Sequence, residues 1–408
     1  MKVTGIIVEY NPFHKGHLYH IKKSRTITKC DAIVAVLSGN FVQRGLPAII
    51  DKWNRTRIAL MNGVDLVIEL PLIYSLSSAE FFANGSITLL NNLGVVNNIC
   101  FGSECGDINV LSHISKILAE EPIDFKNLLK EELSKGVSYP FARSSALLKF
   151  LKIFNDAPFC YEDVQKILNS PNNILGLEYC KKLTELNSEI SPFTIKREGG
   201  DYNSTAFDKQ FSSASSIRKY IKENKNINLL EKYIPENAHN LLLALNETNY
   251  SFTFEDKLMP YLKYKCTLYK DCITKLPDVS EGIHNRIFNA LENAENFDDI
   301  IRCAKTKRYT YSRISRILAQ FFIGFENWDT ENLRKKPCPY AKVLGFNSTG
   351  AKILKKAKKT STIPIYTKLP KEPISTLSLD IQGTKAYSLI NKNIRPNEDY
   401  LTSPIIID

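Results

Sequence analysis

Three of the chain's six histidines, His14, His17 and His20, lie within a stretch of seven residues. A spacing of three residues roughly places side chains on one face of a helix, as a helical metal site requires. His14 follows Asn-Pro-Phe, however, and proline disfavours helix there, so we expect His14 in a turn. Neither a carboxylate nor a cysteine lies between the histidines to complete a set of metal ligands. A turn with a purely structural role is a second interpretation.

A third interpretation is nucleotide binding, because the flanking residues predict a strand, a turn and a helix in that order. The strand is TGIIVEY, the turn is NPFHKGH, and Gly16 lets a ligand approach the backbone closely. His17 then falls at the start of the helix, where free N–H groups and the helix dipole favour phosphate. Imidazole N–H groups can donate hydrogen bonds there, and these strengthen as charge develops on the phosphate oxygens.

The elements that must position this segment alternate between strands and helices. Such alternation predicts βαβ units, so the expected fold class is α/β with a Rossmann-like parallel sheet. The predicted strands are 3–9, 32–37, 66–70, 97–102 and 191–196. The predicted helices are 16–28, 51–62, 78–93 and 213–223, and residues 107–187 are expected to be mostly helical.

The second half of the chain has a different character. The polar segment 224–237 predicts a domain boundary, and helical periodicity continues from there to about residue 325. The segment 331–360 is basic and irregular, and the pieces STIPIYT, TLSLDI and SPIII within 361–408 predict short strands. We therefore expect three domains: a parallel-sheet domain at 1–223, a mostly helical region at 238–330 and a small β-containing end at 331–408.

Composition and charge narrow the class of partner. The 408 residues are 43% hydrophobic and 24% charged, which excludes a disordered or fibrous protein. The net charge of +11 suits a polyanionic partner. Segments 302–316 and 331–360 together carry an excess of 14 positive charges, and Tyr309 and Tyr311 could stack on bases or sugars. Two solvated basic faces are the alternative interpretation.

The hydropathy pattern and the cysteine spacing bear on the cellular compartment and on the class of protein. No run approaches the ~18 apolar residues of a membrane span, and the first residues lack the pattern of a signal peptide. We therefore expect a cytoplasmic protein. The nine cysteines form no CxxC pair, so neither a zinc ribbon nor a disulfide framework is expected.

The sequence His14-Lys15-Gly16-His17 resembles the (T/H)xGH signature of adenylyl-transferring enzymes that have a dinucleotide-fold core. Four further segments narrow the resemblance: SGNFVQRGLPAIIDKWNR (38–55), FGSECGD (101–107), SPNNILGLEY (170–179) and SSASSIRKYI (212–221). Together they resemble the bacterial tRNA(Met) cytidine acetate ligase family over roughly the first 220 residues, and KVLGFNSTGAKIL (342–354) extends the resemblance more weakly. Small adenylyltransferases share HxGH and a Ser-rich xxIR motif but lack the FVQRG and PNNILG segments.

The resemblance implies a nucleotidyltransferase-like domain at 1–223 and tRNA-binding regions at 238–330 and 331–408. It implies that acetate and ATP form acetyl-adenylate and pyrophosphate. The wobble cytidine of elongator tRNA(Met) then takes the acetyl group and becomes N4-acetylcytidine. Mg²⁺ is expected with ATP, bound mostly through phosphates and waters, and no metal site of the protein's own is expected. Neither a membrane nor a permanent protein partner is implied.

The resemblance also assigns residues. ATP is expected to contact Gly102, Asn172, Arg197, Ser215, Ser216 and the run Ile7, Val8, Glu9, Tyr10, Asn11, Pro12, Phe13, His14, Lys15, Gly16, His17, Leu18, Tyr19 and His20. We expect His14, His17 and Arg218 to be catalytic, with His14 and His17 on the triphosphate and Arg218 on pyrophosphate. From the basic segment we expect Lys307, Arg308, Arg313 and Arg316 to bind RNA.

Several of these residues have structural alternatives. Gly102 could be a turn glycine, Asn172 a helix N-cap, Arg197 part of a surface salt bridge, and the serines an ordinary N-cap. Other residues are open in role: Gln43 and Arg44 follow the second strand and could touch acetate, ATP or the cytidine. For the base of the second step, the candidate carboxylates are Glu9 and Asp51.

Two other functions stay open. One is an adenylyltransferase that acts on a small phosphorylated metabolite, which would not need the large basic C-terminal half. The other is a non-catalytic basic RNA-binding protein with a vestigial nucleotide site. The intact residues His14, Gly16, His17 and Arg218 argue against such decay.

Overall fold

The computed structural model describes residues 1–137, 139–154, 161–197, 213–224, 227–306 and 308–408. Residue contacts group the chain into two compact units, one formed by Met1–Val96 with Glu198–Asp408 and the other by Asn97–Arg197. This grouping differs from the domains 1–223, 238–330 and 331–408, which remain a prediction. In the part of the chain that the structure describes, no helix is both long and apolar enough to cross a membrane.

The first 96 residues form the core of a sheet. The elements are β1 (Val3–Val8), α1 (Lys15–Thr28), β2 (Ala32–Ser38), β3 (Phe41–Val42), β4 (Leu46–Pro47), α2 (Lys52–Met61), β5 (Leu66–Leu70), α3 (Leu72–Ser75) and α4 (Ala79–Asn92). Strand β1 pairs in parallel with β2, and β2 pairs in parallel with β5. Both β2 (AIVAVLS) and β5 (LVIEL) are buried along their whole length, as their mainly apolar residues predict, and Glu69 is the one charged residue in these two strands. The predicted strands and helices of this segment are confirmed to within one residue at each end.

The unit Asn97–Arg197 is a pair of strands with helices. Its elements are β6 (Asn98–Ser103), α5 (Ile108–Glu120), α6 (Ile123–Ser134), α7 (Tyr139–Phe154), α8 (Tyr161–Asn169), α9 (Pro171–Glu185) and β7 (Ser191–Lys196). Strands β6 and β7 are parallel, with Asn98 opposite Ser191. Helix α5 packs against α9, and the Ser115 hydroxyl donates to the Leu177 carbonyl at 2.8 Å. The described part of 107–187 is helical, as predicted.

The remainder of the chain is mainly helical. Its elements are α10 (Ala214–Glu223), α11 (Glu236–Glu247), α12 (Met259–Tyr269), α13 (Ile283–Asn293), α14 (Phe297–Ala304), α15 (Tyr311–Ile323), α16 (Thr330–Lys335), β8 (Ala341–Phe346), α17 (Ser348–Thr360), β9 (Ile365–Tyr366), α18 (Ser375–Ile390), α19 (Glu398–Leu401) and β10 (Ile405–Ile406). Short 3₁₀ helices lie at Asn228–Lys232, Glu255–Leu258, Lys270–Lys275 and Phe325–Asn327. The described residues between 238 and 325 form no strand, which agrees with their helical periodicity.

Two expectations for the C-terminal part are wrong. The segment 331–360 is not irregular, because it contains β8 and the long helix α17. Strand β8 pairs antiparallel with β5, and β9 and β10 pair in parallel with β8. The piece TLSLDI is helical and lies within α18, whose buried residues recur at helical spacing and are interrupted by few exposed ones. The C-terminal residues therefore extend the sheet that the first residues begin.

A buried set of charges explains why β8 was not predicted. The Lys342 ammonium lies 2.8 Å from Glu69 Oε2 and 2.6 Å from Asp399 Oδ1. Lys52 contacts the same two carboxylates, at 2.8 Å from Glu69 Oε1 and 2.6 Å from Asp399 Oδ1. All four side chains are almost fully buried. A lysine in a strand normally indicates exposure, and here its charge is compensated by partners that are distant in sequence.

Candidate nucleotide site

The loop between β1 and α1 ends in two histidines that cap the helix together. His14 is the N-cap residue, and its Nδ1 accepts the backbone N–H of Gly16 at 3.1 Å. His17 Nδ1 accepts the backbone N–H of His14 at 3.2 Å, which completes a reciprocal capping box. The two imidazole rings stack with their centroids 3.7 Å apart.

These bonds determine what the rings can offer a ligand. Because Nδ1 of each ring accepts a backbone N–H, the proton of each neutral imidazole lies on Nε2. Two stacked rings, inclined by 25° to each other, thus carry Nε2–H donors suited to phosphate oxygens. The sequence predicted free backbone N–H groups at this helix start. In the structure, the Lys15 N–H donates to the Tyr233 carbonyl at 2.9 Å, and the Gly16 N–H donates to His14 Nδ1. The Nδ1 atoms of His14 and His17 are not available as metal ligands, because each accepts a backbone N–H. The described residues contain no group of three His, Cys, Asp or Glu that could hold a metal ion.

Aromatic packing fixes the ring of His17. Tyr10 and Phe13 are fully buried, and their ring centroids lie 5.0 and 5.6 Å from that of His17. Tyr10 and Phe13 also contact each other edge to face at 4.7 Å. The Asn11 side chain accepts the Ile49 backbone N–H at 2.9 Å, which ties the loop to the segment that precedes α2. The histidine pair is therefore held by packing and by backbone bonds on both sides of the loop.

Helix α10 brings Arg218 to this loop. Arg218 Nη1 donates to the Asn11 carbonyl at 2.7 Å, and Nη2 donates to Ser215 Oγ at 3.1 Å. Ser213 is an ordinary N-cap whose hydroxyl accepts the Ser216 N–H at 3.1 Å, and the Ser216 hydroxyl donates to the Ser213 carbonyl. The serines thus shape the start of the helix, while Arg218 joins the residues of the HxGH loop. Ser212 lies outside the described residues.

Arg55 contacts several carbonyl groups at the same edge of the sheet, and no sequence pattern predicted this role beyond its place in the 38–55 segment. Its side chain is fully buried, and it donates to the carbonyls of Glu9 at 2.7 Å, Ser38 at 2.9 Å and Ile50 at 3.1 Å, and also to Gly39. One guanidinium therefore joins the carboxyl ends of β1 and β2. Burial lowers the pKa of Arg55, and nearby acidic groups oppose that shift.

The two candidate carboxylates differ sharply. Asp51 caps α2, since its Oδ1 accepts the N–H groups of Trp53 and Asn54 at 2.9 Å each, and its Oδ2 accepts the Tyr250 hydroxyl at 2.8 Å. Glu9 is half-buried and accepts the Gln43 backbone N–H at 2.8 Å. Burial raises the pKa of Glu9, against the opposing effects of the Gln43 bond and the charges of Arg44, Arg218 and Arg55. Glu9 is therefore the carboxylate that lies among the cationic residues of the site.

Three predicted ATP contacts lie together within the unit Asn97–Arg197. A Cβ on Gly102 would lie 3.2 Å from Arg197 Cγ, so these two residues are neighbours, and the Arg197 N–H donates to the Ser103 carbonyl. Gly102 lies inside β6 rather than in a turn. The Asn172 side chain donates to Glu104 Oε1 at 2.7 Å, two residues beyond Gly102.

Glu104 is a residue that the sequence did not single out. Its carboxylate accepts the backbone N–H groups of Asn172 at 3.2 Å and Asn173 at 2.8 Å. In the reverse direction, Asn173 Oδ1 accepts the backbone N–H groups of Glu104 and Cys105. Ser170, not Asn172, is the N-cap residue of α9, and its side chain makes no capping bond. A carboxylate from another segment satisfies this helix start, which only the fold could reveal.

The predicted RNA-binding arginines hold a neighbouring loop. Arg308 Nη2 lies 2.5 Å from Glu281 Oε1, Arg313 donates to Ser280 Oγ at 2.7 Å, and Arg316 donates to Asp278 Oδ2 at 3.1 Å. Tyr309 is 7% exposed, so its ring cannot stack on a base, whereas Tyr311 is half-buried. Lys307 lies outside the described residues.

The second basic segment divides into buried and exposed parts. Arg334 and Lys342 are buried in ion pairs, and Lys335 contacts Glu331 at 2.8 Å. Helix α17 presents an exposed set of lysines, for which the described residues supply no ion-pair partner: Lys352, Lys355, Lys356, Lys358 and Lys359. This α17 lysine face is the largest uncompensated run of positive charge within the two basic segments, as far as the structure describes them.

Comparison with known proteins places this geometry in a family. A family model described as HIGH Nucleotidyl Transferase matches residues 1–400. Proteins named tRNA(Met) cytidine acetate ligase from Clostridium kluyveri, Clostridium novyi and Clostridium tetani are 60%, 55% and 51% identical, with full coverage of both chains.

Solved structures agree with the sequence comparison. The apo crystal structure of Thermotoga maritima TmcAL matches with a TM-score of 0.93 at 34% identity, covering 100% of both chains. The same protein bound with alpha-thio ATP matches with a TM-score of 0.90 at 34% identity, covering 100% of this chain and 99% of that one. The capped histidine pair, the Arg218 contact and these full-length matches lead to one conclusion: the chain belongs to the tRNA(Met) cytidine acetate ligase family, within the HIGH nucleotidyl transferases.

Proposed function

We propose that this protein uses ATP to acetylate the wobble cytidine of elongator tRNA(Met), giving N4-acetylcytidine. In the first step, acetate attacks the α-phosphorus of ATP, which yields acetyl-adenylate and releases pyrophosphate. In the second step, the exocyclic amine of the cytidine attacks the acetyl carbon, and AMP leaves. Relatives that are 51–60% identical over the full length carry the name of this activity.

The stacked pair of His14 and His17 carries the proposal. Acetate is already a nucleophile, so the first step requires a bound triphosphate, correct positioning and stabilisation of charge rather than a strong base. The two Nε2–H groups would donate to phosphate oxygens from a rigid pair of rings. No rearrangement of their Nδ1 bonds is required, because those bonds face the backbone.

The other site residues would complete the nucleotide site. Arg218 is proposed to bind the pyrophosphate end together with Ser215 and Ser216, and it already contacts the loop through Asn11. We propose that Gly102, Asn172 and Arg197 also contact ATP, as does the segment Ile7–His20, apart from the Glu9 carboxylate. Mg²⁺ would arrive with ATP as part of the substrate, held by phosphates and waters.

For the RNA, the α17 lysine face is the favoured surface. Its five ammonium groups are exposed, and an uncompensated cation gains more from a phosphate than one that already contacts a carboxylate. Lys307, Arg308, Arg313 and Arg316 remain a second proposed surface. The reaction is proposed to occur in the cytoplasm with tRNA(Met) as the macromolecular partner.

Acetate-dependent exchange of labelled pyrophosphate into ATP tests the first step. With ATP, Mg²⁺ and acetate but no tRNA, the protein should catalyse exchange. No exchange should occur without acetate. Exchange that instead requires a phosphorylated small molecule, with none for acetate, would favour the adenylyltransferase alternative and contradict the proposal.

A further inference from the structure

A short hairpin contacts the carboxyl end of β1 on one side and helix α15 on the other. Strands β3 and β4 pair with Phe41 opposite Pro47, and three residues, Gln43, Arg44 and Gly45, form the tip. Gly45 has a positive φ of 78°, and its N–H donates to the Val42 carbonyl at 2.8 Å. Such a three-residue tip favours glycine at its last position, because L side chains rarely adopt that conformation.

The tip is held from two directions. On one side, the Gln43 N–H donates to Glu9 Oε1 at 2.8 Å, at the carboxyl end of β1. On the other side, the Ser315 hydroxyl of α15 donates to the Gly45 carbonyl at 2.9 Å. The approach is so close that a Cβ on Gly45 would overlap the backbone of Ser315 and Arg316. Arg44 therefore lies at a fixed junction between the nucleotide loop and the helical region.

Tyr311 completes this junction. It lies four residues before Ser315 on α15, so both side chains lie on the same face of the helix, towards the hairpin tip. Burial and the charges of Asp298 and Glu255 raise the pKa of Tyr311, and the charges of Arg218 and Arg44 oppose that shift. A half-buried aromatic ring thus lies within electrostatic range of Arg44 and Arg218, and of the carboxylates of Asp298 and Glu255.

The group Glu9, Arg44 and Tyr311 matches the chemistry of one base. The pairing edge of cytosine offers an exocyclic amine that donates, followed by N3 and O2, which accept. A carboxylate accepts from such an amine, and a guanidinium supplies adjacent donors to two acceptors. An aromatic ring is the usual surface on which an unstacked base packs. ATP phosphates need neither the carboxylate nor the ring.

We infer that Glu9, Arg44 and Tyr311 form the subsite for the acceptor cytosine, in which the Glu9 carboxylate binds the N4 amine and accepts its proton. Arg44 donates to N3 and O2, and Tyr311 packs on the base. This inference rests on the proposed function, since it names the residues that take the acceptor in its second step.

The proton transfer balances as follows. The N4 lone pair forms a bond to the acetyl carbon of acetyl-adenylate, and the bond from that carbon to the AMP oxygen breaks with its electron pair leaving on AMP. One N4 proton moves to the Glu9 carboxylate and later to solvent. A carboxylate whose pKa is raised by burial is a better base than an exposed one.

The experiment separates the two steps in the full-length protein. Acetate-dependent pyrophosphate exchange measures activation, and a single turnover of synthetic acetyl-adenylate with tRNA measures transfer. Glu9→Gln keeps an oxygen for the Gln43 N–H but cannot take a proton. We expect the ratio of transfer to exchange to fall at least about 100-fold. Glu80→Gln makes the same change on an exposed carboxylate of α4 and should keep the wild-type ratio.

The pH dependence provides a readout that a structural role would not change. Wild-type transfer should fall as Glu9 becomes protonated at low pH, and Glu9→Gln should lack that acidic limb. If Glu9→Gln does not fold, Arg44→Ala carries the test, and its ratio of transfer to exchange should fall at least about 10-fold. A wild-type ratio in folded Glu9→Gln or Arg44→Ala would overturn the inference, provided the wild-type protein acetylates tRNA. Absence of acetylation by the wild type would instead refute the proposed function.

Discussion

His14 and His17 cap one helix with their side chains and stack on each other at 3.7 Å. In each ring, Nδ1 accepts a backbone N–H at the start of α1, and Nε2 on the opposite edge is the atom proposed to bind phosphate. A substitution at either position therefore changes both the stability of the α1 start and the donors available to ATP. The two effects can be separated by choosing a residue that caps but is not an imidazole.

His17→Gln is such a choice. Glutamine at this position can accept the His14 N–H, as in an ordinary capping box, but places no ring against His14. Pyrophosphate exchange should fall roughly 100–1,000-fold in both His17→Gln and His17→Ala, which corresponds to losing one donor to developing charge. Urea unfolding should show a loss of about 1 kcal/mol for His17→Ala and a smaller loss for His17→Gln. Exchange near the wild-type rate in either folded variant would contradict the assigned role.

Lys342→Met should destabilise the fold strongly. The substitution leaves Glu69 and Asp399 with Lys52 as their shared partner in a buried environment. Breaking a buried ion pair by removing one partner costs about 3–5 kcal/mol in the free energy of unfolding. Lys356→Met on exposed α17 is the control and should change that free energy by less than about 0.5 kcal/mol. A loss below about 1 kcal/mol for Lys342→Met would show that the buried network contributes little.

Asp380 should make stability depend on pH. Burial and the charge of Glu69 raise the pKa of Asp380 to about 7, against the opposing effect of Lys342. The unfolded value is about 3.9, so the folded state binds more protons between these values. The free energy of unfolding contributed by Asp380 therefore falls as pH rises from about 4 to about 7.

Asp380→Asn removes that contribution. Its free energy of unfolding should fall less than that of the wild type between pH 5 and pH 7.5, as measured in urea at both values. If the free energy of unfolding changes by the same amount between these pH values in the wild type and in Asp380→Asn, then Asp380 does not titrate in this range.

The α17 lysine face should dominate the salt dependence of tRNA binding. Replacing Lys352, Lys355, Lys356 and Lys359 by alanine removes up to four phosphate contacts, each contributing about 0.7–0.9 to the slope of log K against log salt. The magnitude of the slope should therefore fall by up to about 2.8–3.6. Replacing Lys307, Arg308, Arg313 and Arg316 should have a smaller effect, since three of these side chains already contact residues 278–281. An unchanged slope for the α17 variant, measured at several salt concentrations, would exclude this surface.

The sequence predicted much of the sheet and the HxGH loop because their signals are local. The short, mainly apolar runs 32–37 and 66–70 have the length and β-branched residues typical of buried strands, and the NPFHKGH segment predicts a turn before a helix. The missing parts depend on distant partners. Lys342 is buried because Glu69 and Asp399 compensate it, and Glu104 caps α9 from another segment. TLSLDI alternates like a strand, yet it is helical because α18 is buried on most of its circumference.

Identification of the modified nucleoside tests the central claim most directly. The protein is incubated with ATP, Mg²⁺, labelled acetate and total tRNA, and the RNA is then digested and its nucleosides separated. We predict label in N4-acetylcytidine derived from elongator tRNA(Met), dependent on ATP and formed at least about 100-fold more slowly by His17→Gln. Two results would contradict the account. One is unlabelled tRNA although the same protein catalyses acetate-dependent exchange of pyrophosphate into ATP, and the other is label in any other nucleoside.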